Sequence, residues 1–459
     1  MKVLHVIAGA PVGGAETFAQ DAILSLAQQG VEQVVITRPH PIALARYAQA
    51  GVTVAPRAFG LADRLLGAAA IRDQAKALGA DIVHAWMSRA AASIPSGMPC
   101  PVIGWFGDYY KLRHFKRCDH YLAVTPDIVR YILGEGARPH RAGLVNTFGT
   151  LPDSPKVDRA SLDTPAGAPV ILVLSRMHAV KGIDTILNAL TEVPEAYLWL
   201  AGDGPALERY KALSAELGLS ERVRFLGWRT DRKALLEACD ICALPSRYEP
   251  FGTVIVEAWA MQKPLAAAAA AGARQYVVDG ENGLISPIDD APALADNLRR
   301  LVREPYLRSK LIEGGYDAYQ RTFTRETVTA RLIAYYQRAI RLGAMANDQF
   351  VTRPARTQID DATVVARLAD QAAQAGLDPS AARTAAMALL TYADAQNPAG
   401  PQAALLELSG AGRVLQPDGR VLMIPPEDFD LVTALPLWAE IEARFGAALE
   451  RMATANARV

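Results

Sequence analysis

The chain has 459 residues, 51% hydrophobic and 21% charged, a composition that excludes disordered and fibrous classes and a length that exceeds one ordinary core. Lys plus Arg and Asp plus Glu number 48 each, so no global field argues for a nucleic-acid partner. No apolar run approaches the roughly 18 to 20 residues that span a bilayer.

Charge is uneven along the chain. Residues 1–159 carry 17 basic and 12 acidic side chains, a net +5, and the remainder is correspondingly acidic. A positive first part is compatible with an anionic acceptor or an anionic membrane face. The start, MKVLHVIAGAPVGGAE, reads as a first strand and not as a leader, because it reaches Gly13, Gly14 and Glu16 before any cleavable apolar stretch. Cysteines at 100, 118, 239 and 242 form no disulfide framework, which suits a reducing cytoplasm. Cys239 and Cys242 have C-x-x-C spacing but no second pair or nearby histidine, and ordinary burial is favoured over redox or metal chemistry.

Short Val, Ile and Leu runs alternate with longer amphipathic stretches, the pattern of parallel strands joined by crossover helices. The first strands are expected over 3–8, 33–37, 81–85, 102–105, 120–124 and 144–146. After a polar, proline-containing stretch over 151–169, VILVLS restarts the alternation, with strands over 170–175, 197–201, 223–226, 241–245, 265–270 and 284–286. The expected fold class is α/β: two doubly wound, Rossmann-like domains, 1–155 and 165–345, facing each other across an interdomain cleft, with ligands at the carboxyl ends of the strands. Helices over 290–303, 306–321 and 325–342 close the second domain. Residues 350–459 form an α+β extension, with helices over 359–375, 381–395 and 438–452 and a hairpin turning at Pro417-Asp418-Gly419; it holds no catalytic constellation.

The candidate chemistry falls just after strands. Gly13 and Gly14 follow the first strand and open a helix, offering either exposed amides or a plain tight turn. Arg176 and Lys181, in SRMHAVKG, place two cations at a strand-to-helix turn, either to neutralise a diphosphate or as a solvated basic turn. Gly202 and Gly204, in AGDGP, let a backbone approach a ligand closely. The dinucleotide fingerprint fails there, since Leu207 stands where a third glycine belongs. In EPFGTVIVE, Glu249 lies in a loop after a strand and Glu257 in the first turns of the next helix. Two such carboxylates can accept hydrogen bonds from vicinal sugar hydroxyls; otherwise Glu257 complements a helix dipole and Glu249 is a surface residue.

These segments, GGAE at 13–16, SRMHAVKG at 175–182, AGDGP at 201–205, FLGW at 225–228, PSRYEPFGTVIVEAWA at 245–260 and VVDGENGLISPID at 277–289, make residues 1–342 resemble a GT-B-fold retaining glycosyltransferase of the family 4 type. The resemblance implies a nucleotide-diphosphate sugar donor held mainly by the second domain, a glycan or lipid-linked acceptor, and no obligatory metal or other cofactor. It places the diphosphate on Arg176 and Lys181, the ribose on Glu257 and the transferred sugar on Glu249. Phe251, Gly252 and Thr253 would approach sugar and phosphate, and Trp228 and Arg229 would lie near the base. Retention would follow front-face attack, with stabilisation of the leaving group as the main catalytic task.

One departure stands out: Phe106 occupies the position where many relatives carry a histidine. His84 and His120 read as structural histidines. The segment 108–117 interleaves aromatic and basic residues, which suits either peripheral contact with the inner membrane face or a helix with buried aromatics and solvated charges. The leading function is extension of a lipopolysaccharide or exopolysaccharide by a cytoplasmic enzyme. An epimerase on the same fold, or a non-catalytic sugar-nucleotide-binding scaffold, is the alternative.

Overall fold

The computed structural model describes residues 1–9, 13–59, 61–138, 141–343, 361–374, 413–415 and 421–423. The expected helices over 381–395 and 438–452 and the turn at Pro417-Asp418-Gly419 lie outside these residues. The chain divides into two compact units, Met1–Val145 with Thr329–Val459, and Asn146–Val328.

The first unit is built on seven parallel strands: β1 (Lys2–Ile7), β2 (Glu32–Thr37), β3 (Thr53–Pro56), β4 (Ile82–Trp86), β5 (Val102–Phe106), β6 (His120–Ala123) and β7 (Ala142–Leu144). Their order is β3-β2-β1-β4-β5-β6-β7, so the winding reverses between β1 and β4. β4, β5 and β6 are buried along their whole length, as strands covered on both faces must be, and this explains their near-continuous apolar sequences. β3 was not anticipated. TVAP is short, partly exposed and ends on Pro56, which an edge strand tolerates and which erases the apolar run that marks an inner one.

The helix Arg325–Leu342 completes this unit from Thr329 onward. The Tyr335 hydroxyl donates to the Tyr121 carbonyl at 2.9 Å. Its ring fills the space above Gly143 on β7, where a Cβ would lie 2.1 Å from it. Helical periodicity alone placed this helix with the second domain through 345, because a pattern identifies a buried face without naming what covers it. Elsewhere in the tail, a helix runs over Asp361–Gln374, and β14 (Arg413–Leu415) pairs antiparallel with β15 (Val421–Met423).

The second unit carries six parallel strands, β8 (Val170–Leu174), β9 (Tyr197–Ala201), β10 (Val223–Gly227), β11 (Ile241–Leu244), β12 (Leu265–Ala268) and β13 (Leu284–Ser286), in the order β10-β9-β8-β11-β12-β13. The reversal makes β8 and β11 neighbours, with Ile171 beside Ile241, although 70 positions separate them. Ligand-binding loops in such sheets emerge at this switch point. Cys239 and Cys242, at and within the start of β11, are buried and free; burial pushes the Cys239 thiol up to about 12 and the Cys242 thiol well above its usual range. Neither is a reactive thiolate.

Beneath the first sheet lies a buried histidine pair. Trp86 Nε1 donates to His5 Nδ1 at 3.2 Å, and an indole can only donate. The His5 proton therefore sits on Nε2, which donates to Gln33 Oε1 at 2.8 Å. His84 stacks on Trp86 at 4.0 Å, and its Nδ1 is 2.6 Å from the Tyr336 hydroxyl. Burial lowers His5 to about 4 and His84 well below 6.5, the latter also through His5. Both rings are thus neutral in the fold but take a proton when the chain unfolds below about pH 6.5, so their presence costs stability as the solution is acidified. His84→Phe keeps the stack and removes one such group. Its thermal midpoint, measured against wild type, should shift in the variant's favour between pH 7.5 and 5.5; a gap constant with pH would contradict this assignment.

Candidate active site

The loop leaving β8 begins at Ser175 and folds into a short 3-10 turn, Ala179–Lys181. The His178 ring caps this turn by accepting from the Val180 amide at 3.3 Å. Gly182 then adopts φ +62° with the Pro245 carbonyl 2.0 Å from where a Cβ would stand, so only glycine fits between this loop and the one leaving β11. The two loops are fastened further by Arg247. Its backbone amide donates to the Val180 carbonyl at 2.9 Å, and its guanidinium grips both Asp184 oxygens at 2.9 Å and reaches Asp289 at 2.6 Å.

This fastening brings together residues expected to act together. Lys181 Nζ lies 2.7 Å from Glu249 Oε2, with both side chains largely buried. Arg176 is exposed on the same loop, and among the described residues its guanidinium has no hydrogen bond or ion pair. The Glu249 carbonyl accepts from the Gly272 amide at 2.7 Å, which holds the acidic loop from the other side.

Gly252 caps the helix Thr253–Ala260 in the left-handed region at φ +89°. Phe251 is buried, with its ring against Tyr276 and Phe323 and its carbonyl packed on Gly272. The helix sequence TVIVEAWA is apolar nearly all round, as expected of a buried helix, and Glu257 sits inside it at 0% exposure. Arg232 Nη1 lies 2.6 Å from Glu257 Oε1 as an ion pair not aligned as a hydrogen bond. Oε2 is buried and unpartnered among the described residues. Burial pushes the Glu257 carboxyl up to about 7, against the opposing pull of Arg232.

Other expected residues take different places. A Cβ on Gly202 would lie 1.8 Å from the Ser175 carbonyl, and one on Gly204 2.6 Å from that of Met177. The room these glycines provide is filled by the chain's own backbone, so they shape the β8 loop. Arg229 forks onto Asp231 at 2.7 and 2.5 Å, next to the exposed Trp228. Gly13 precedes the helix Gly14–Gln28, and the Glu16 carboxylate occupies the space where a Cβ on Gly9 or Gly13 would stand. Phe106 is wholly buried and stacks on Phe115 at 3.9 Å. His120 Nε2 meets the Gly343 carbonyl at 3.0 Å, a structural role like that of His84. Along 108–117, Leu112 and Phe115 enter the core while Lys111, Arg113, Lys116 and Arg117 are exposed.

Sequence reasoning missed Arg232 and Arg247. Arg232 opens the helix Arg232–Ala238, where a cation opposes the helix dipole. That anomaly was the readable sign of a nearby anion.

The two units correspond to two family models. Residues 12–147 match Glycosyltransferase Family 4, and residues 155–318 match Glycosyl transferases group 1. The chain is 35% identical over 332 residues to the lipopolysaccharide core biosynthesis glycosyltransferase LpsE of Rhizobium meliloti, covering 72% of this chain and 97% of that protein. It is 31% identical over 343 residues to LpsD of the same organism, covering 74% and 99%. Among solved structures, Anabaena HepE in complex with UDP and glucose superposes with a TM-score of 0.63 at 22% identity, over 73% of this chain and 99% of that one. WaaG, a glycosyltransferase involved in lipopolysaccharide biosynthesis, gives 0.55 at 18% identity, over 73% and 99%. These likenesses establish the GT-B fold, and with the identity to LpsE and LpsD they make the chain a glycosyltransferase belonging to the group 1 glycosyl transferases of the family 4 type.

Proposed function

We propose that this enzyme moves a sugar from a nucleoside-diphosphate sugar to a glycan or lipid-linked acceptor in the assembly of lipopolysaccharide or a related cell-surface polysaccharide, with retention of anomeric configuration. The observation that carries the reading is the Lys181–Glu249 pair beside the exposed Arg176, at the carboxyl ends of β8 and β11. The names of LpsE and LpsD support the acceptor class, and the UDP and glucose in the HepE complex support the donor class.

In this reading the donor diphosphate lies on Arg176 and Lys181. An ammonium has three donors, so Lys181 holds Glu249 and a phosphate oxygen at once. As the sugar–phosphate bond breaks, charge accumulates on the departing oxygen, and prepositioned cations stabilise it without reorganising. That same oxygen takes the acceptor's proton during front-face attack. Glu249 accepts from a hydroxyl of the transferred sugar, and Glu257 Oε2 accepts from the ribose. Gly252 and Thr253, with the backbone of Phe251, approach the sugar and phosphate, and Arg229 lies near the base. No metal takes part. The acceptor belongs to the first unit, whose exposed Lys111, Arg113, Lys116 and Arg117 favour peripheral contact with the cytoplasmic face of a membrane.

Donor turnover against uridine, guanosine and adenosine diphosphate sugars tests this reading. Lys181→Ala should lower kcat by about 100-fold or more, and Glu249→Gln should raise the donor KM, with both variants folded. Glu257→Gln should weaken donor use while stabilising the fold. The folded carboxyl titrates near 7, above its unfolded value, so the ionised group costs stability that grows as pH rises from about 4.5 to 7 and is complete above it. At pH 8 the variant should gain about 3 kcal/mol at most, and nothing near pH 4.5. Full transfer rates in both Lys181→Ala and Glu257→Gln would overturn the assignment.

A further inference from the structure

We propose that Arg232 is a positioning residue for donor recognition, pinning Glu257 Oε1 so that Oε2 is presented to the donor as an ionised acceptor. This inference rests on the reading of Glu257 as the ribose ligand and assigns the group that makes it competent.

The geometry is specific. Glu257 is wholly buried on the helix Thr253–Ala260, and Arg232 is the cation that reaches it, at 2.6 Å from Oε1. Arg232 does not float: its Nη2 donates to the Thr150 carbonyl at 3.2 Å, so one guanidinium is tethered at both ends. Thr150 is itself held by Arg325, whose Nη2 donates to its hydroxyl at 3.1 Å. Gly149, next in the chain, packs on Glu257 Cγ, where a Cβ would stand at 2.7 Å. The carboxylate is therefore clamped between the segment around Thr150 and the helix Arg232–Ala238, with Oε1 engaged by Arg232 and Oε2 buried without a hydrogen-bond partner among the described residues.

A buried carboxyl with no cation would stay protonated near neutral pH and offer a donor O–H where the ribose needs an acceptor. The titratable groups acting on it are Arg232 and, from β11, the buried Cys242 thiol, which carries no charge; Gly149 brings none. Arg232 is thus the source of the charge state. Its helix-initial position also explains why a cation is placed against a helix dipole.

The test measures binding of UDP, GDP and ADP by calorimetry to the full-length chain, then compares the nucleotide that binds most tightly with its 2′,3′-dideoxy counterpart, between pH 6 and 9. Wild type should prefer the ribonucleotide, and Glu257→Gln should lose that preference. Arg232→Met should lose about 5-fold or more of ribonucleotide affinity at pH 7, since a rise of one pK unit from about 7 cuts the ionised fraction from about one half to about one eleventh. The loss should shrink towards pH 9 as the carboxyl ionises without its partner. Binding of the dideoxy nucleotide should change little, and Arg232→Lys should restore much of the preference. If wild type and Glu257→Gln behave as stated while Arg232→Met keeps the wild-type preference and pH profile, Arg232 has no such role although the ribose reading stands. If wild type shows no preference for the ribonucleotide, the ribose reading itself fails, and this inference with it.

Discussion

The reversal of winding in the second sheet is the constraint on which the site depends. Because β8 and β11 are neighbours, the loops leaving them emerge side by side, and Lys181 meets Glu249 across 68 positions of sequence. Parallel pairing at that point requires both strands to be covered on both faces, which the apolar runs VILVL and ICAL provide. Gly182, pressed against the Pro245 carbonyl, and Arg247, bonded to Val180, Asp184 and Asp289, then set the separation of the loops. The candidate site is held by rigid elements and by the connections that leave them, as the preorganised electrostatic stabilisation proposed for it requires.

A second regularity is the placement of cations beside helix starts. Lys181 precedes Gly182, the N-cap of the helix Ile183–Thr191, and Arg232 opens the helix Arg232–Ala238. Each lies where a positive charge is disfavoured by the helix dipole, and each is compensated by a carboxylate brought from elsewhere in the unit. The burial of Glu257 is unfavourable to its ionised form, and the ion pair with Arg232 offsets only part of that.

Much of this was legible in the sequence because it is written in local patterns. Apolar runs bounded by polar turns marked the inner strands, and the restart at Val170 marked a second sheet. Arg176, Lys181, Glu249 and Glu257 were identifiable because charged residues directly follow strands, or sit within an otherwise apolar helix. What was not legible depends on non-local packing. β3 lacks the apolar run of a central strand, since one side of it has no neighbour. The helix Arg325–Leu342 announces a buried face, yet its sequence does not say what covers it, which contacts such as Tyr335 on Gly143 and Tyr336 on His84 do. The close fit of Gly202 and Gly204 against the chain's own Ser175 and Met177 was hidden as well, because a sequence does not show what fills the room beside a glycine. Arg232 and Arg247 went unnoticed because arginines are common on surfaces, and their partners are 25 and 63 positions away.

Hydrogen exchange of the full-length enzyme, with and without a saturating nucleoside-diphosphate sugar, tests the central claim most directly. Slowed exchange is expected in residues 175–182, 245–249 and 252–257, at the carboxyl ends of β8 and β11 and the helix start that follows. Tight donor binding with protection confined to residues outside Asn146–Val328 would contradict it.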